Sequence, residues 1–79
     1  WTNQIAEYAS YEEERVCRMN AVECRMESME CDEEADRALL QFKFSEANKW
    51  REEARQSRAE ARRYEEEADK LQMRADKLN

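Results

Sequence analysis

Glycine, proline and histidine are all missing from this chain of 79 residues. The first two supply most chain reversals and helix stops, so their absence leaves few places for a corner. Without glycine there is no loop to cradle a phosphate, and without histidine the most common general base and metal ligand is gone. No nucleophile stands at a reachable spacing from a base, and paired carboxylates such as Glu13 and Glu14 or Glu65 to Glu67 read as solvated faces. An enzyme is therefore not expected, nor a cofactor, a metal or a small-molecule substrate. No apolar run approaches the ~20 residues of a membrane span, and no signal-peptide core is present.

Positive charge is scarce at the front. Residues 1–45 carry five basic and 11 acidic side chains, whereas residues 46–79 carry nine of each, so the net charge of −6 lies entirely in the first part. An acidic front repels phosphates, which argues against nucleic acid or an anionic membrane as partner. The chain does not begin with methionine and reads as processed or excised.

What is abundant is periodicity. With Ile5 at position a of a heptad, Tyr8, Met19, Val22, Met26, Met29, Leu40, Ala47, Trp50, Ala54, Ala61, Tyr64, Ala68, Leu71, Ala75 and Leu78 all fall on a or d, which fills 16 of 22 such positions. A repeat of 3.5 residues sustained this far predicts an all-α fold, a long α-helical coiled coil with those residues as its oligomer seam. The composition, rich in Ala, Glu, Lys, Leu and Arg, agrees. At this size a lone domain buries a poor share of its surface, so a partner is expected.

Charges flanking the seam favour a parallel homodimer, in which a residue at g faces the residue five places on in the partner. Arg18 with Glu23, Arg25 with Glu30, Asp32 with Arg37, Glu46 with Arg51 and Glu53 with Arg58 are all attractive, and only Glu60 with Glu65 opposes like charges. The favoured architecture is thus one near-continuous helix of about 118 Å (79 residues at ~1.5 Å each), residues 1–79 forming a single segment. The alternative is an antiparallel helical hairpin, alone or dimerised into a four-helix bundle. A break or hinge is expected near 31–37, where Asp32 could cap a second helix, or near 43–46, with Ser45 as cap. Glu12, Arg15, Glu33, Asp36 and Lys43 sit in the seam as well, and in a parallel homodimer each faces its own copy, which costs stability.

From Ala47 onward, a holds alanine at every heptad. Over residues 46–78 this pattern resembles the Ala-rich stretches of tropomyosin-like and myosin-rod-like coiled coils, and the resemblance implies a rod that bends at such layers. Arg51 to Arg58 looks like a fragment of a plant-type basic-leucine-zipper DNA-reading region. That match breaks because Trp50 occupies the base-reading Asn position and Glu53 and Glu60 intrude among the basic residues.

Cys17, Cys24 and Cys31 stand seven apart, ~10.5 Å along a helix, beyond the reach of a disulfide or a shared zinc ion. An odd number of thiols fits a reducing, intracellular compartment. With Ala21, Ser28, Ala35, Ala38 and Phe42 they form a second, small-residue stripe roughly opposite Met19 to Met29, a candidate face for another helical protein. The function expected from residues alone is that of a structural scaffold whose oligomerisation holds partners in register. The alternative is a helical-hairpin binding module of adaptor or chaperone type that offers its Met, Cys and Ala face to a partner protein.

Overall fold

The computed structural model describes the backbone of residues 2–78 and the side-chain surroundings of residues 8–77. It consists of two helices, α1 (Thr2–Leu40) and α2 (Phe44–Leu78), packed against each other. They run antiparallel. As residue number rises in α1 it falls in α2: Arg18 reaches Asp69 and Gln72, Arg25 reaches Glu65, and Asp32 meets Arg58. The Cα envelope is 61 Å long, close to the ~58 Å of a 39-residue helix. An unbroken helix would be about twice that length. The near-continuous rod is therefore replaced by the hairpin alternative.

The reversal needs no glycine. Leu39 C=O accepts from Phe42 N–H at 3.0 Å and Ala38 C=O accepts from Lys43 N–H at 2.8 Å, the paired bonds of a Schellman helix end. Phe42 occupies the left-handed position of that motif at φ 60°, which for a residue with a Cβ costs roughly 1–2 kcal/mol. Lys43 C=O then accepts from Ala47 N–H at 3.0 Å and opens α2. The interruption at Gln41 to Lys43 touches only the edge of the predicted 43–46 break, and 31–37 is continuous helix. Phe42 itself is 78% exposed, its ring edge-on to Phe44 at 6.4 Å. Phe42→Gly is expected to raise the melting temperature by about 4 °C, the strain relief exceeding the lost ring contact. A fall in a circular-dichroism melt would show the ring contact to be the larger.

The core lies along one line between the helices. Ala47, Ala54, Ala61 and Ala68 are fully buried, followed by Ala75 and Leu71. Opposite them α1 buries Ser10, Ala21, Cys24, Ser28, Ala35 and Ala38, with Glu14, Cys17 and Cys31 half-buried. These α1 residues recur at alternating steps of three and four, so α1 presents a complete heptad stripe of small side chains to the alanine column. Small against small lets helix axes approach toward the ~8 Å end of the usual range, and long methionines in the same place would hold them apart over empty alanine layers. That is why α2 selects the cysteine face rather than the methionine face. Polar members of this seam are satisfied: the Ser28 hydroxyl donates to Arg25 C=O at 2.7 Å, and no buried side-chain nitrogen or oxygen lacks a partner among the described residues.

Candidate functional site

The residues expected to form a single oligomer seam divide in two. Those on α2, Ala47, Ala54, Ala61, Ala68, Leu71 and Ala75 with half-buried Trp50, are covered by α1 of the same chain, while Tyr64 stays at the margin. Those on α1 are uncovered. Met19 is 52% exposed, Val22 57%, Met26 56% and Met29 63%, with Tyr8 and Leu40 more exposed still. Ile5 and Leu78 have side chains outside the described residues.

The predicted partner face is likewise reassigned. Cys17, Ala21, Cys24, Ser28, Cys31, Ala35 and Ala38 do face a helix, but it is α2 of their own chain, and only Phe42 remains exposed. Ser10 and Glu14 belong to the same inner face and were legible as its continuation at the spacing of Cys17, Ala21 and Cys24. On the helical wheel this inner face and the methionine stripe lie nearly opposite. Helix α1 therefore carries two apolar stripes, one covered and one bare. Helix α2 carries one, its outer side being polar apart from Met73, with Arg55, Arg62, Arg63, Glu66 and Lys70 exposed.

Charges at the edges of α1 are drawn toward α2. Arg18 hydrogen-bonds Glu14 at 3.0 Å and Asp69 at 3.4 Å, an environment that raises its guanidinium pKa, chiefly through the Glu14 bond. Arg25 pairs with Glu65, and Arg58 with Asp32 at 3.1 Å. Four residues of the attractive intermolecular pairs, Arg18, Arg25, Asp32 and Arg58, thus have partners across the hairpin. The pairs that cross between the helices are exposed, so they bias alignment more than they hold the helices together.

One flank between the helices is an open groove of about 790 Å³ where Glu27, Glu30, Glu33, Glu34, Glu53 and Glu60 surround Cys31, with Arg37 as the basic residue. The Cys24 thiol lies 3.7 Å from a Glu60 carboxylate oxygen and the Cys31 thiol 3.9 Å from one of Glu53. Burial, then the neighbouring carboxylates, pushes both thiols above the ordinary value of 9.0. Thiols held protonated are poor nucleophiles and poor metal ligands. Among the described residues no three His, Cys, Asp or Glu side chains are placed to hold a metal ion, and no helix is long and apolar enough to cross a membrane.

Compared with known proteins, the chain matches no family, no characterised relative and no solved structure.

Proposed function

We propose that this chain is a non-catalytic helical-hairpin module that works by docking a further helix onto the outer stripe of α1. The reading is supported by a single asymmetry: α1 is apolar on two opposite faces, and this chain supplies a cover for one of them. A helix destined to lie at the surface places polar residues on the side away from its neighbour, as α2 does. Met19, Val22, Met26 and Met29 instead leave an exposed apolar strip, and methionine adapts to the shape of whatever packs against it. The docked helix would carry or belong to a second component, so the module joins two protein parts.

The parallel rod is the weaker scaffold reading. It requires the alanine column of α2 to face a copy of itself, and in the hairpin that column is occupied by α1.

The test replaces Val22 and Met26 together by glutamate. If the stripe is a docking surface, the single-chain hairpin keeps its helix content and melts within about 5 °C of the parent at a concentration where sedimentation gives one chain's mass, because nothing in the fold rests on those side chains. Loss of helix in that monomer would make the stripe part of the core and overturn the reading.

A further inference from the structure

Resting on that docking reading, we infer that the occupant of the outer stripe is a second copy of this chain, with the two α1 helices antiparallel about a dyad near residue 24. Along the stripe the order is Tyr8, Glu12, Arg15, Met19, Val22, Met26, Met29, Glu33, Asp36 and Leu40. Reversing a copy brings a positions opposite d positions. Tyr8 then meets the partner's Leu40, Met19 the partner's Met29, Val22 the partner's Met26, and Arg15 the partner's Glu33.

Apolar layers thus fall on apolar layers, and a basic residue falls on an acidic one, twice in each dimer by symmetry. Along the stripe Glu12 with the partner's Asp36 opposes like charges, also twice, and Glu12 accepts from Arg15 at 3.0 Å in its own helix. A parallel pair sharing the same stripe sets Glu12, Arg15, Glu33 and Asp36 each against itself, four unfavourable layers and no attractive one. Its former advantage lay in Arg18, Arg25 and Asp32 at the flank, and those side chains have partners on α2. At the dyad Arg25 nears its own copy already neutralised by Glu65, and the exposed Glu23 pair is screened by salt.

Size agrees with association. The strip from Tyr8 to Leu40, ~48 Å long and ~10 Å wide, covers roughly 500 Å² per copy, about 1,000 Å² in all, the size of a weak, reversible interface. Because the two stripes of α1 are nearly opposite, the product is a flat layer in the order α2, α1, α1, α2, with hairpin tips at opposite ends.

Sedimentation equilibrium on the full chain tests this with two variants. Arg15→Glu should weaken the dimer about tenfold, since two attractive layers become repulsive, and Arg15→Glu with Glu33→Arg should return it to within about threefold of the parent. In a parallel dimer neither change alters the sign of any layer, so a dimer indifferent to Arg15→Glu overturns the antiparallel assignment. Methionine oxidation by dilute peroxide gives an independent readout. At dimer concentrations Met19, Met26 and Met29 should oxidise more slowly than Met73, which is 62% exposed on α2, and on dilution the difference should vanish. A single chain's mass at every concentration would reject the second copy as occupant. The glutamate variant of the preceding test separately decides whether the stripe lies outside the hairpin's own core, so the two failures are distinguishable.

Discussion

Replacing Ala54 and Ala61 by leucine is expected to abolish the cooperative melt of the monomeric hairpin near room temperature. Both side chains are fully buried in the line where α2 meets the small residues of α1. Extra methylenes forced into a close-packed layer cost typically ~1–3 kcal/mol each. A core of this size rarely supplies more than ~3–5 kcal/mol in total, so two such insertions consume most of it. The alternative response, helices moving apart to admit the leucines, would open voids at neighbouring Ala47 and Ala68 and lose their dispersion contacts. Ala59→Leu is the control, because residue 59 is exposed and leucine propagates a helix nearly as well as alanine. Far-UV circular dichroism checks the outcome. The result has a second use, since leucine at a positions strengthens a parallel coiled-coil seam. A variant that melts higher than the parent would therefore reject the close-packed antiparallel hairpin.

The alanine column of α2 was legible because one apolar residue type recurs every seven positions over a long stretch, and the structure buries that column on one side of a helix. Helicity was equally legible from composition and from the unbroken repeat. The turn was not. It is made by Phe42 in a left-handed conformation, which sequence patterns assign to glycine or asparagine, and the heptad lattice resumes after it without a change of phase. Nor was the choice of face on α1 apparent, because Met19, Val22, Met26 and Met29 are more hydrophobic than Cys17, Ala21, Cys24 and Ser28. Hydrophobicity ranks those stripes one way and steric fit ranks them the other. Fit prevails because an alanine column offers shallow layers that only small side chains fill. The usable signal was complementarity of size between two stripes of one chain: alanine every seventh residue in the second half, cysteine every seventh in the first.

Cys24 is expected to react with a maleimide roughly a hundredfold more slowly than Cys17 at neutral pH. Cys24 is buried in the seam, whereas Cys17 and Cys31 are half-buried. The thiolate is the reacting form, and burial together with Glu60 holds the Cys24 thiol above its ordinary value of 9.0. Reaction must then wait for the helices to part, and an opening free energy of ~3 kcal/mol reduces the reactive population about a hundredfold. Cys31, raised by burial and by Glu53, should fall between the two. Once modified, Cys24 bears a group that the alanine layer cannot admit, so the labelled chain should lose its helix content while a chain labelled at Cys17 keeps it. The same displacement sets a pH dependence. The folded state holds both protons more tightly than the unfolded chain does, so this contribution is complete below pH 9.0 and is lost as pH climbs from the unfolded value through the folded one. Cys24→Ser with Cys31→Ser should flatten that alkaline limb of stability. Equal labelling rates at Cys17 and Cys24, measured by mass spectrometry on peptides, would mean that the cysteine stripe faces solvent and that α2 covers some other side of α1.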